Sequence, residues 1–506
     1  MPSPARAADG LLLVELMPDE AERQFRTSSY PFLLGLARSL GRRASWCALG
    51  MRYDPSLRYA LEPRDLALLR AEAARLRPGV MVVNERLRDD QWEALQAAAP
   101  KARLVYCEID EGFNVLGQFA QELFGPLEPQ FQGSRLLERV APCFARRVLN
   151  AAPWAAAPLI RVVSGTRCSY RSRVAANRHY RRLGLSLPAM GCSFCQSGSI
   201  PVERYVDDEV DFAARVVCAA LQARPRGPAE ARFEFIGCGL WRRCAELVGA
   251  LLRRGARGAE LSFMPRIDEF LAQRAALERL LPRLARRGLA LRFYGMGVEN
   301  FSPAENLRLN KGITPGQVHE AADFIVRATE RWPGQFRYPN RHFSMILYTP
   351  WTTLRDLRLN VAGISRCPLV DHAAALRGRL QLFPGRPITL LAEKDGLVAR
   401  RVSELFYNSG CITRAGQGEV PWRFAHPEAG VLWQLARRLS IDRTRLSPAG
   451  LSYDGLPADE PAARAVAALL EGGLRDPLPL FDRALRIVAR GRRPASLAGL
   501  VAALRT

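Results

Sequence analysis

From residue 159 to residue 383, short apolar runs and amphipathic stretches alternate with little interruption, and this constrains the fold of the 506-residue chain more than any other feature. The apolar runs Leu159–Ser164, Arg232–Ile236, Glu260–Met264, Leu289–Tyr294, Phe343–Tyr348 and Arg379–Phe383 have the length and composition of strands. Helical spacing of apolar residues covers Asp207–Leu221, Leu240–Arg253, Glu269–Arg286, Pro315–Arg331 and Thr353–Arg366 between them. Parallel strands need crossovers, and right-handed crossovers lay each strand beside the last. Six strands with five helices therefore predict a (βα)6 partial parallel barrel. Ligands of such folds collect at the carboxyl ends of the strands.

The flanking regions read differently. Before about residue 135, the strand candidates Leu11–Glu15, Ser45–Leu49, Val80–Val83 and Leu104–Cys107 alternate with helical stretches at Pro63–Leu76 and Asp90–Ala98. That pattern predicts a small open α/β sheet of Rossmann-like type. Residues 151–158, rich in alanine and proline, read as a linker, and the chain beyond residue 391 is mainly helical by pattern. The expected division is 1–135, 155–390 and 391–506, in keeping with the length.

The formal net charge is +23, yet only Lys101, Lys311 and Lys394 are lysines. So uniform a preference for arginine fits the coding bias of a GC-rich genome, although as electrostatics it attracts acidic substrates or RNA whatever its origin. Arg167, Arg171, Arg173, Arg178, Arg181 and Arg182 crowd one segment. A solvated face or a contact with an acidic peptide is the favoured reading, and nucleic acid the less favoured. The chain has no run of eighteen apolar residues and no charged-then-apolar start, so no membrane partner and a cytoplasmic location are expected. Eight of the eleven cysteines lie scattered among apolar neighbours, as small core residues of a reduced protein do.

The other three cysteines follow the first strand of the central region. Cys168 is followed by Cys192 and Cys195 within Gly-Cys-Ser-Phe-Cys-Gln-Ser-Gly, Gly191 to Gly198. Three thiolates on one loop can hold three irons of a cubic iron–sulfur cluster and leave the fourth open to a ligand. A structural zinc is the alternative, with His179 as fourth ligand, and coincidence is a third reading. Residues Ser169 to Gly191 separate the first two cysteines, and closing a loop of that length costs about 2 kcal/mol more than closing one of three residues. The basic insertion carries Tyr170, His179 and Tyr180 and reads as a flap over substrate.

Together with Gly-Val-Glu-Asn at Gly297–Asn300, Asn-Lys-Gly-Ile-Thr at Asn310–Thr314 and Tyr-Thr-Pro-Trp-Thr-Thr at Tyr348–Thr353, this loop resembles the radical S-adenosylmethionine enzymes over residues 155–390. The resemblance implies that Cys168, Cys192 and Cys195 hold a [4Fe–4S] cluster whose open iron chelates S-adenosylmethionine. Reductive cleavage of the sulfonium then yields methionine and a 5′-deoxyadenosyl radical. It implies cosubstrate contacts from Phe194 to the adenine, from Glu299 and Asn300 to ribose or the methionine part, and from Lys311 nearby. Read without it, Glu299 is a solvated loop carboxylate and Lys311 a surface residue.

Two departures from the family stand out. One is the long interval between Cys168 and Cys192. The other is Gly237-Cys238-Gly239 after the second strand, where the family has Gly-Gly-Glu; Gly237 and Gly239 still permit close backbone approach to the cosubstrate. The order of domains resembles the subgroup carrying a cobalamin-binding domain, which makes cobalamin a further cofactor candidate. No histidine precedes His179, so the Asp-x-His-x-x-Gly segment of histidine-ligated cobalamin is missing. The resemblance implies an external electron donor and a peptide or natural-product substrate, modified, for instance methylated, at an unreactive carbon. A zinc-containing RNA-binding protein and a non-catalytic degenerate barrel remain the competing readings.

Overall fold

The computed structural model describes residues 10–505 except 19–24, 27–28, 52, 55–57, 60, 85–88, 107–115, 133–134, 151–158, 166–167, 169, 186–188, 196–204, 224–230, 237–238, 294, 340–342, 400–418, 445, 447–449, 451, 453–455, 472–475 and 492–495. The N-terminal part contains β1 (Gly10–Pro18), β2 (Phe25–Arg26), β3 (Ala44–Met51), the short hairpin of β4 (Tyr53–Asp54) and β5 (Arg58–Tyr59), β6 (Pro78–Val83), β7 (Arg103–Tyr106) and β8 (Arg146–Val148). Five of these form one parallel sheet in the order β7-β6-β1-β3-β8. Its central strand β1 is apolar apart from Glu15, as burial on both faces demands, and Glu15 is buried with an arginine partner. Leu12, Val14 and Leu16 face a core with Leu69, Ala73 and Leu76 of the helix Pro63–Leu76. Leu11 and Leu13 face the opposite way, into a core that continues beneath the second sheet.

The second sheet uses β9 (Leu159–Val163), β10 (Ala231–Ile236), β11 (Ala259–Phe263), β12 (Leu289–Phe293) and β14 (Phe336–Arg337). A small pair is made by β13 (Gly297–Glu299) and β15 (Ser344–Met345). The six-stranded order is β14-β12-β11-β10-β9-β2, parallel throughout. Glu260 of β11 is buried and receives Arg232 and Arg292 on one oxygen, at 3.2 and 3.1 Å, and Arg337 on the other at 2.9 Å, so one carboxylate ties four strands.

The (βα)6 partial barrel expected from the sequence holds through its first four strands, β9 to β12, and departs from expectation after them. The place beside β12 is taken by β14, where Phe336 is fully buried and packs on Phe293 with ring centroids 4.9 Å apart. The expected fifth strand, Phe343–Tyr348, shortens to β15 and pairs with β13. The reason lies in the main chain of Ile346: its N–H goes to the Glu299 carbonyl at 2.6 Å, and its carbonyl accepts from the Asn300 side chain at 2.8 Å. The expected sixth strand is reduced to a single bridge between Tyr348 and Arg379.

The chain does not divide cleanly at residue 135. β8 completes the first sheet, while β2, from the first region, edges the second. The C-terminal part is helical: Pro427–Leu439, Pro461–Glu471, Pro477–Ala489 and Leu497–Arg505. Three of these begin with proline, whose missing N–H costs nothing in the first turn. Among the described residues no helix is long and apolar enough to cross a membrane.

Candidate active site

The loops at the carboxyl ends of β9, β11 and β13 meet around Cys192. Cys192 and Cys195 share a tight turn, the Cys195 N–H donating to the Cys192 carbonyl at 3.2 Å. Ser193 anchors that turn: its N–H donates to Leu309 at 3.0 Å, its hydroxyl to the Arg308 carbonyl at 3.0 Å, and its carbonyl accepts from Ile388 at 3.2 Å.

The long interval after Cys168 is a closed excursion. The Gly191 N–H donates to the Ser172 carbonyl at 2.8 Å, Val174 donates to Ala189 at 3.0 Å, and Arg173 bridges Met190 in antiparallel fashion. The path from Cys168 to Cys192 therefore passes through Ser172 and returns at Gly191. The excursion is not a flap over open space. Val174 and Tyr180 are buried with Leu391, and the Tyr180 hydroxyl donates to the Arg308 carbonyl at 2.6 Å. Asn177 donates to the Leu307 carbonyl at 2.5 Å. His179, the zinc candidate, is held in the same excursion, where burial, Arg308 and Arg178 push its imidazole below its ordinary pKa.

Glu299 and Lys311 form a buried ion pair, with Nζ 2.7 Å from Oε1 and side chains only 10% and 8% exposed. This excludes the solvated-carboxylate and surface-lysine readings. The geometry needs Gly297: a Cβ there would lie 2.3 Å from Glu299 Oε1 and 2.9 Å from Lys311 Nζ. Glu299 takes φ +65°, a left-handed conformation that costs a non-glycine residue of order 1–3 kcal/mol. Asn310, at φ +50°, tolerates that region better and donates to the Gly191 carbonyl at 2.6 Å.

Arg266, which sequence reasoning missed, joins these loops. Its Nη1 lies 3.7 Å from Cys192 Sγ, and its Nη2 donates to the Lys311 carbonyl at 2.7 Å. Nε pairs with Asp268 at 3.0 Å, and the guanidinium lies 3.7 Å from the centre of the Tyr170 ring. The Tyr170 hydroxyl in turn sits where a Cβ on Gly312 would be, 2.2 Å away, and Gly312 has φ +69°. Burial pushes the Cys192 thiol up to about 11, against the pull of Lys311 and Arg266, while Glu299 and Cys195 add to the rise. Burial opposes the charge on Lys311, yet Glu299 and Cys192 hold its pKa above the ordinary value.

The remaining residues named from the sequence fall in different places. Asn300 is fully buried and spent on the fold: it donates to the Ile346 carbonyl at 2.8 Å and accepts from the Ser302 N–H and the Asn360 side chain, each at 2.8 Å. Phe194 is half-buried against Leu309, Leu380, Ile388 and Trp422. Gly239 lies against Glu209, whose Oε2 would be 2.3 Å from a Cβ there, and Gly237 lies outside the described residues. Cys168 is half-buried. Among the described residues, no three His, Cys, Asp or Glu side chains are gathered into a group that could hold a metal ion, so the three sulfurs are not presented as a finished ligand set.

The donor chemistry nevertheless suits an anionic iron–sulfur cluster. Cys192 and Cys195 share a turn, two cations stand beside Cys192, and the closed base of the excursion returns the chain from Cys168 toward them.

No family model matches the chain, and no curated protein matches it in sequence. Among solved structures, it is similar to the apo, selenomethionine-labelled cobalamin-dependent S-adenosylmethionine radical enzyme OxsB. The TM-score is 0.49 at 11% identity, over 95% of this chain and 72% of that one.

Proposed function

We propose that the chain is a radical S-adenosylmethionine enzyme in which Cys168, Cys192 and Cys195 ligate a [4Fe–4S] cluster. The observation that carries this reading is the half-buried Cys192 beside Arg266 and the Glu299–Lys311 pair, at the carboxyl ends of a parallel sheet. When bound, the cluster supplies the electron that cleaves the sulfonium of S-adenosylmethionine to give methionine and a 5′-deoxyadenosyl radical.

The protein's share is positional and electrostatic. Arg266 and Lys311 favour the thiolate of Cys192, the form a metal requires. Glu299, next to the sulfur and already polarised by Lys311, is the residue we assign to the cosubstrate's ribose or ammonium donors. Asn300 holds the backbone that aims Glu299, and Phe194 backs the cysteine turn. We keep cobalamin for the first domain only as far as its open parallel sheet goes. The loops after β1, β6 and β7 fall largely outside the described residues, and with no histidine before His179 the corrinoid would lack a histidine ligand.

The test is the iron, acid-labile sulfide and zinc content of protein purified without oxygen, followed by assay of 5′-deoxyadenosine release under dithionite. About four irons and four sulfides per chain, bleached on reduction, with cosubstrate cleavage, are expected. Stoichiometric zinc without sulfide overturns the proposal.

A further inference from the structure

We propose that Arg266 is a positioning residue that sets the reduction potential of the cluster through the sulfur of Cys192, with Asp268 moderating its charge. The inference rests on the reading of Cys192 as a cluster ligand and adds a residue that none of the sequence motifs contains.

The argument starts from how fully the guanidinium is committed. Its five donors form a rigid planar fork, so satisfying several partners at once fixes its orientation in a way an ammonium cannot reproduce. Nη2 is tied to the Lys311 carbonyl and Nε to Asp268, while the plane rests on the Tyr170 ring. What remains, Nη1, points to Cys192 Sγ at 3.7 Å, a distance suited to an N–H···S hydrogen bond. Three loops from separate strands hold one cation against one sulfur, and the side chain is only 9% exposed.

Reduction of the cluster moves one electron from the external reductant onto the iron–sulfur core, with no bond made or broken at Arg266. Negative charge therefore grows on the sulfurs. A fixed positive charge and a hydrogen bond to a ligand sulfur stabilise the reduced form more than the oxidised one, and the potential rises. The effect is strong because little water separates the two groups. Asp268 accepts from the other side of the guanidinium at 3.0 and 3.4 Å and is one-third exposed, so it subtracts from the field that Arg266 exerts. The two residues must therefore act with opposite sign.

The experiment is a dithionite redox titration of the anaerobically reconstituted full chain, read by electronic absorption and by paramagnetic resonance, after iron and sulfide are counted in each variant. Arg266→Gln is expected to lower the midpoint by at least a tenfold change in the one-electron equilibrium, about 59 mV. Arg266→Lys should fall by less, and Asp268→Asn should move the midpoint upward. A fully loaded Arg266→Gln protein with an unchanged midpoint overturns the proposal, as does a downward shift in Asp268→Asn. If Arg266→Gln does not load, the signs of Arg266→Lys and Asp268→Asn decide it. Failure of the unsubstituted chain to take up iron and sulfide counts against the cluster itself, so the two failures are distinguishable.

Discussion

Two of the buried carboxylate–cation pairs, Glu15–Arg146 and Glu299–Lys311, sit in very different settings. In the first sheet, Glu15 of β1 meets Arg146 of β8 at 3.1 Å, reaching across the intervening β3. The pair is almost wholly buried, and Arg146 also touches Met17 Sδ at 3.1 Å. It fastens the edge strand to the centre of the sheet. Glu299, at the end of β13, is itself in left-handed backbone, Lys311 stands between the left-handed Asn310 and Gly312, and the pair acts electrostatically on the Cys192 thiol. One pair spends its charge on the fold and the other extends it to a sulfur. What separates a structural ion pair from a functional one here is what lies next to it, since burial and distance are nearly alike.

The largest effect expected on the loop side is from the sulfurs themselves. Cys192→Ala or Cys195→Ala should abolish iron and sulfide uptake while far-ultraviolet circular dichroism stays unchanged. Retention of a full cluster in either would remove the ligand assignment. Cys168→Ala tests the third ligand in the same way. Next come the two pairs, since removing one partner of a buried ion pair costs about 3–5 kcal/mol. Lys311→Met and Arg146→Met should both lose that much in denaturant unfolding. Only Lys311→Met should also shift the metal-free alkylation profile of Cys192, from a midpoint near 11 to higher pH, because Lys311 favours the thiolate. Equal profiles in the two variants would break the comparison.

A smaller loss, about 1–3 kcal/mol, is expected for Gly297→Ala, whose Cβ must push Glu299 and Lys311 apart. The smallest effect concerns His179. Burial and its arginine neighbours lower its folded pKa, so its contribution to stability is present above the ordinary imidazole range and lost as the pH falls through it. Thermal unfolding between pH 7.5 and about 5.5 should therefore be less pH-dependent in His179→Asn; an unchanged slope would show that the histidine titrates alike folded and unfolded.

Elements that carry their own punctuation are legible in the sequence. The helix Pro315–Arg331 matches its expected limits, since Thr314 caps it, Pro315 fills its first turn and Gln317 closes the capping box. The strands β9 to β12 also fall within a residue of expectation at most ends, because each is a compact apolar run. β8 and β14 are too short and too basic to show such a pattern. The displacement of the expected fifth strand has a tertiary cause: Phe336 of β14 fills the place beside β12, and nothing local to Phe343–Tyr348 announces it.

At the site, Lys311 stood out because lysine is rare, whereas Arg266 is hidden by the abundance of arginine around it. Asn300 shows the limit of motif reading. Its neighbour Glu299 pairs with Lys311 and acts electrostatically on the sulfur, but its own amide is fully engaged by nearby Ser302 and by Ile346 and Asn360, which lie far along the chain.

The hydrogen bond that shuts the excursion at Ser172 and Gly191 also separates two quantities usually treated as one, the count of residues between two ligands and the distance the chain must span. With the base pinned and Val174, Asn177 and Tyr180 packed on the site, the exposed turn at Arg181 and Arg182 can vary without repositioning what lies on either side. Such a turn is a natural grafting point: a lineage could alter its outer surface, or a designer replace its tip, while Cys168 and Cys192 keep their relation to each other.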